Sequence, residues 1–388
     1  MSQTSNQQTS KPVELFGWMA SPYTAKVRSY LTYKNIPFKD NVPSVFTLNG
    51  KIKKDVGQLI MPVVYTDQTP LQDSTVILQT FEQQHSERCI NPDNPIQQFY
   101  NLILEMFADE WLPLAALHYR WNYPENRAFI HKEFGKSALP YFPSFIQNYV
   151  AKVFGGKMSG YLPILGIKPH MEKPLEKNTL HILDALNTHL ATHDFIFGPR
   201  PSLADFSLYG PIFAHLDRDP SPKNLVSQFK HVKKWVDTLN GDFAHIKNSS
   251  EWPDTNETLD SLKPLLDIWS QCHGPLIRQS IDAITQWYNA LDSDQKASEK
   301  KLPKFLGKAS ITLDGQNETR LNLTYGYWMW SRIHKHYSAL TDTQKSQLKP
   351  LLQAWNIDDL LNTALPCEVS LKRCRLYLVA PANTIKNR

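Results

Sequence analysis

Over the first eighty residues the apolar positions come in short runs, and beyond them they settle into helical spacing. Val13, Leu15 and Phe16 make a brief apolar strand. A tight loop then reaches Ser21-Pro22, a favoured N-cap followed by a favoured first helical residue. Tyr23, Val27, Tyr30 and Leu31 lie at helical spacing, which predicts a helix over 22–34. Asn35-Ile36-Pro37 closes it, and 38–42 reads as a second strand. Residues 43–59 are mixed in polarity and predict irregular chain. Residues 60–65 predict a strand with Pro62 near its start, where a missing N–H is tolerated and a cis bond is accessible. A turn at Asp67-Gln68 precedes a short strand at 69–71. Asp73-Ser74 then caps a helix with Ile77, Leu78 and Phe81 on one face. This order predicts a mixed sheet with helices packed against it.

Residues 86–95 are polar and proline-containing, as in a linker. Beyond them Phe99, Ile103, Phe107 and Trp111 line a long helix that continues toward Tyr119 and Trp121, with Pro113 set to kink or end it. Residues 126–153 are helical with interruptions at Pro140 and Pro143. Residues 174–192 carry the stripe Leu180, Leu183, Leu186 and Leu190. Ser202 and Asp205 form a variant capping box ahead of Phe206 and Leu208, and 224–239 is a further helix. In the last third, 258–269, 276–291 and 348–361 predict helices, the last with Pro350 in its first turn. Residues 311–323 predict a hairpin turning at Asp314-Gly315. Tyr325, Tyr327, Trp328 and Trp330 fit a core more readily than a docking surface.

Composition bounds the function. A chain of 388 residues has room for two or three domains, and 41% hydrophobic with 20% charged residues is ordinary for a globular protein. A net charge of +5 without a like-charge block gives no nucleic-acid footprint. Four scattered cysteines make neither a disulfide framework nor a metal site. No apolar run reaches a membrane span, and residues 1–12 lack a signal-peptide core and predict a disordered tail. Cytoplasmic location, with neither nucleic acid nor membrane as partner, is the resulting expectation.

The chemistry begins at Ser21, a hydroxyl at the positive end of a helix, where an anion such as a thiolate is welcome. The plainer reading of Ser21 is a helix cap alone. SPYTAKVR, Met61-Pro62-Val63 and Asp73-Ser74 with Ile77, in this order, resemble the cytosolic glutathione transferase superfamily. The Gly198–Asp205 stretch resembles the start of its central buried helix. The resemblance covers about residues 13 to 245, and an extension beyond it occurs on some bacterial members.

It implies an α+β chain. A thioredoxin-like glutathione-binding domain spans 13–86, an all-helical domain 95–245, and a mainly helical extension docked on the helical domain 250–388. It implies glutathione as co-substrate and no metal. Ser21 matches the catalytic position of the Ser- and Cys-type classes, with Tyr23 as a rival hydroxyl. Met61 before a cis Pro62 is implied to pair with the cysteinyl backbone, and Asp73 and Ser74 to hold the γ-glutamyl group. The acceptor, a small hydrophobic electrophile, is expected near Tyr23, Phe107, Trp111 and Tyr119. Family members are usually homodimers. The alternative is a non-catalytic scaffold that keeps the fold and engages a partner through the extension, its groove filled by side chains.

Overall fold

The structure is a computed structural model and describes residues 12–67, 69–222, 224–246, 251–253 and 255–380, with side chains of 255–258 excepted. The expected N-terminal tail lies, Pro12 apart, outside the described residues. Strands β1 (Val13–Phe16), β2 (Phe38–Asn41), β3 (Val63–Tyr65) and β4 (Leu71–Gln72) form one sheet in the order β2-β1-β3-β4. β1 runs parallel to β2 and antiparallel to β3, the mixed thioredoxin-like sheet expected. Helices α1 (Pro22–Tyr33) and α2 (Ser74–Gln84) cover it, burying Val27, Leu31, Ile77, Leu78 and Phe81.

Residues 43–59 are not irregular. Short helical turns run through Val45–Thr47, Leu48–Ile52 and Lys53–Val56. Ser44 caps them by accepting from the Thr47 N–H, and Leu48, Ile52 and Val56, four apart, are all buried. That stripe is diluted by three lysines, which hid it.

The helical domain comprises α3 (Pro95–Glu110), α4 (Leu112–Asn122), α5 (Pro124–Ala138), α6 (Ser144–Ser159), α7 (Glu172–His189), α8 (Leu203–Pro211) and α9 (Lys230–Leu239). The chain breaks between α3 and α4 at Trp111, two residues before Pro113, as its missing N–H requires. Along α7 and its C-cap the expected Leu183, Leu186 and Leu190 are buried, joined by Thr179 and Ile182, while Leu180 is 41% exposed at the edge of the stripe. The helix expected at 224–239 starts only at Lys230, after a short turn at Val226–Gln228.

Every residue of α8 is buried. Asp205 accepts from the N–H groups of Ile196 and Ser202, the Ser202 hydroxyl and the Trp235 indole. A Cβ on Gly210 would lie 2.6 Å from the Pro22 carbonyl oxygen, so glycine lets α8 press against the start of α1.

The extension contains α10 (Thr255–Cys272), α11 (Gly274–Asn289), a hairpin of β5 (Phe305–Leu313) and β6 (Gln316–Leu323), α12 (Tyr325–Ser338), α13 (Asp342–Ala354) and α14 (Asp358–Asn362). A second hairpin, β7 (Val369–Lys372) with β8 (Arg375–Leu378), was not foreseen. Pro350 lies deep in α13, which begins earlier than expected because Thr341 and Gln344 form a capping box. Tyr327, Trp328 and Trp330 are buried, as is Trp269, whose ring meets Trp355 edge-on. The extension packs on the helical domain through α12 against α3, and it also reaches the sheet domain. There Tyr325 meets Asp73 and Arg375 meets Gln58.

Candidate functional site

Arg120 fixes the loop that enters α1. Its guanidinium donates to both carboxylate oxygens of Asp219, at 2.8 and 2.9 Å, and to the Ala20 carbonyl at 2.7 Å. Trp18 donates its indole N–H to the Pro43 carbonyl at 2.8 Å. Ser21, held between, caps α1 by accepting from the Thr24 N–H at 3.2 Å. With that lone pair used, the hydroxyl keeps its proton for another acceptor.

A pocket of about 200 Å³ opens beside the first turn of α1. The Met61–Pro62 peptide, which is cis, forms one wall with Ile60. Asp73 and Ser74 at the head of α2 form another, and Tyr23 and Glu110 a third. The extension closes it with Tyr325 and Cys374.

Asp73 sits at φ +82°, a region costly for a side chain with a Cβ. There its carboxylate accepts from the Val76 N–H at 3.2 Å and from the Tyr325 hydroxyl at 2.8 Å. Burial raises its pKa, and those two donors oppose the rise. Tyr23 donates to the Asp109 main-chain oxygen at 3.0 Å. Burial, then the carboxyls of Asp109 and Glu110, hold its phenol well above the usual range, so it stays neutral.

Behind this wall lies an ionic cluster. Lys26 pairs with Glu105 at 3.0 Å and Asp109 at 2.7 Å, and Arg332 from the extension pairs with Glu105 at 2.7 Å. Thr75 donates to Glu105 at 2.9 Å. Burial works against Glu105 ionising, but Arg332 and Lys26 hold its pKa low; at Asp109 burial prevails over Lys26 and the pKa is raised. Glu110 is pushed up to about 8, chiefly by burial and against Arg320. Among the described residues no three His, Cys, Asp or Glu side chains are placed to hold a metal.

The structure therefore brings together Tyr23, Met61, Pro62, Asp73 and Ser74. Ser21 does not line that pocket. Phe107, Trp111 and Tyr119, expected near the acceptor, are buried core residues and do not line this pocket. Phe107 is fully buried, Trp111 donates its indole N–H to Asn178 at 3.0 Å, and Tyr119 stacks on Tyr123. Glu110, Tyr325 and Cys374 were not anticipated. A signal existed for the cluster behind them: Glu105 and Asp109 are four apart beside the apolar stripe of α3, where lone carboxylates need cations.

Two family models match the chain: the glutathione S-transferase N-terminal domain over residues 15–89 and its C-terminal domain over residues 174–238. These two stretches match domains of the glutathione S-transferase superfamily. Similar solved structures include a glutathione S-transferase from Rhodospirillum rubrum, 12% identical, covering 63% of this chain and 98% of that one, with a TM-score of 0.38. Another, from Methylobacterium radiotolerans in complex with glutathione sulfonate, is 14% identical and covers 63% of this chain and 99% of that one, with a TM-score of 0.38. A GST-like protein from Pseudomonas syringae is 20% identical and covers 60% of this chain and 66% of that one, with a TM-score of 0.41. No curated protein matches. Both matches end before the extension, so Tyr325 and Cys374 reach the pocket from outside the two matched domains.

Proposed function

We propose that this chain binds glutathione across the Met61–Pro62 turn and the Asp73–Ser74 cap, and presents its thiol to a small hydrophobic electrophile. The observation that carries the reading is the convergence of Met61, Pro62, Asp73 and Ser74 on one pocket beside the start of α1. In this proposal the Met61 backbone holds the cysteinyl part, and Asp73 and Ser74 the γ-glutamyl group. The thiol extends toward Ser21. A free thiol with a pKa of about 8.5 is mostly protonated at neutral pH. The Ser21 hydroxyl, at the positive end of α1 with its proton uncommitted to the cap, favours the anion. The thiolate then attacks the electrophile and the leaving group departs with its electron pair.

Ser21→Ala tests the assignment. The bound thiol pKa should rise, and turnover with a generic electrophile should fall by about tenfold or more, as for loss of one preorganised donor. An unchanged thiol pKa with about 1 kcal/mol of lost stability would reduce Ser21 to a cap. A loss of thiolate in Tyr23→Phe instead would move the role to the phenol.

A second reading, a binding protein without turnover, is favoured by one contact. The Tyr325 hydroxyl occupies the Asp73 carboxylate at 2.8 Å, where the proposal puts the ligand's amine. The pocket's 200 Å³ is also below the roughly 300–1,000 Å³ of most small-molecule sites. A calorimetric titration with glutathione separates the readings. Saturable binding with thiolate formation supports the enzyme, and no binding supports the scaffold.

A further inference from the structure

Helix α6 reverses the usual amphipathic arrangement. Its buried residues are Ala151 and Gly155. Phe145, Tyr149 and Val153, spaced four apart on one stripe, are 72%, 71% and 60% exposed. The cause lies in how α5 and α6 meet. A Cβ on Gly155 would come within 2.2 Å of the His131 ring, and one on Gly135 within 2.8 Å of the Gln147 main-chain oxygen. The two helices approach through their smallest residues, and the large apolar side chains are left facing solvent.

The loop before α6 extends the same surface. Tyr141 is 97% exposed, and Phe142 stacks on the exposed Phe46 with ring centroids 6.1 Å apart. At ~200 Å² per aromatic side chain, the exposed parts of Phe46, Tyr141, Phe145 and Tyr149 amount to roughly 600 Å². That is the upper end for the largest apolar patch on a monomer, and such patches mark interaction sites.

Charge decides what covers it. From Phe134 to Met171 the sequence contains no Asp or Glu. Lys136, Lys152 and Lys157 in that stretch are exposed and make no ion pair among the described residues. A second copy of the chain seated face to face would set these lysines against one another, with no acid in the stretch to answer them. An aromatic stripe flanked by lysines, on a surface rather than in a groove, matches the interfacial region of a negatively charged bilayer. Among the described residues no helix is long and apolar enough to cross a membrane, so the contact is one of lying on the surface.

We propose that α6 and the loop before it form a docking surface for anionic lipid. Phe145, Tyr149 and Val153 enter the headgroup region, and Lys136, Lys152 and Lys157 meet the lipid phosphates.

The test is sedimentation of the full-length protein with vesicles of phosphatidylcholine, alone or mixed with phosphatidylglycerol. The protein should partition onto the mixed vesicles, and added salt should weaken binding. Phe145→Ser with Tyr149→Ser should lower the partition coefficient at least about tenfold. Lys152→Gln with Lys157→Gln should lower it about tenfold on the mixed vesicles only. All four side chains are exposed, so both variants should keep the wild-type circular dichroism and melting temperature. Failure of the wild type to sediment with either vesicle overturns the proposal, as does equal sedimentation of the Phe145→Ser/Tyr149→Ser variant. Equal binding to both vesicle types removes its anionic part. If sedimentation equilibrium finds a dimer that the aromatic pair of substitutions dissociates, the occupant is a second copy and the lipid assignment is wrong.

Discussion

Removal of the Tyr325 hydroxyl should loosen the extension and open the pocket to ligand at the same time. In Tyr325→Phe the ring is kept and one donor to Asp73 is lost, a bond of 2.8 Å between half-buried groups. Among the described residues the carboxylate then retains the Val76 N–H, at 3.2 Å, from its own helix. Leaving a buried acceptor short of a partner costs about 1–3 kcal/mol, so the urea midpoint should fall with the slope unchanged. Glutathione binding should move the other way. If the ligand's amine must displace the phenol to reach Asp73, that work disappears in the variant. A gain of about 1.4 kcal/mol, or about tenfold in dissociation constant, follows from one hydrogen bond to a charged group. Isothermal titration reads the affinity and urea unfolding reads the stability, on the same preparation. Weaker glutathione binding in Tyr325→Phe would make the hydroxyl a ligand contact and refute the competition. Stability and affinity both unchanged would mean that the extension does not latch onto Asp73 in solution.

Two further outcomes follow from buried charge. Lys26→Met leaves Glu105 with Arg332 alone and Asp109 with no cation, and should cost about 3–5 kcal/mol in urea unfolding; a loss under 1 kcal/mol would show that Lys26 is not carrying the cluster. Glu110 titrates near 8 in the folded chain against about 4.3 unfolded. Between those values the folded state keeps a proton that the unfolded state has released, so this group makes stability fall as pH rises through the window. Glu110→Gln should flatten that slope, gaining most over wild type at pH 8 and nothing near pH 4. Parallel melting-temperature profiles across the window would contradict the assignment.

The sequence carried the matched domains well because their signals are local. Ser21-Pro22, Pro62, Asp73-Ser74 and the Ser202/Asp205 box each set a backbone conformation from two to four neighbouring residues, and all sit where that chemistry puts them. Burial face was harder to read. The Leu48, Ile52 and Val56 stripe was obscured by the lysines between them, and Leu180 was misjudged because what packs on a helix decides where its buried stripe ends, here with Leu183 and Leu186 inside and Leu180 at the edge. Phe107, Trp111 and Tyr119 show the same effect, since a large aromatic on a helix reads alike whether it faces a ligand or a core. The pocket's outer wall could not be read locally at all. Tyr325 lies 252 positions from Asp73, and Arg375 lies 317 from Gln58, and no period or cap encodes a pairing over such distances. Yet the need for a partner was written on the near side. Asp73 was expected to cap a helix and, with Ser74, to hold the γ-glutamyl group, and Glu105 and Asp109 are acids on a buried face. Such groups persist only if something donates to them. In this chain two of the donors, Tyr325 and Arg332, come from one face of α12, seven residues or about two turns apart. One helix of the extension therefore satisfies both the pocket's capping carboxylate and the ionic cluster behind it, and this couples the extension's docking to the state of the site.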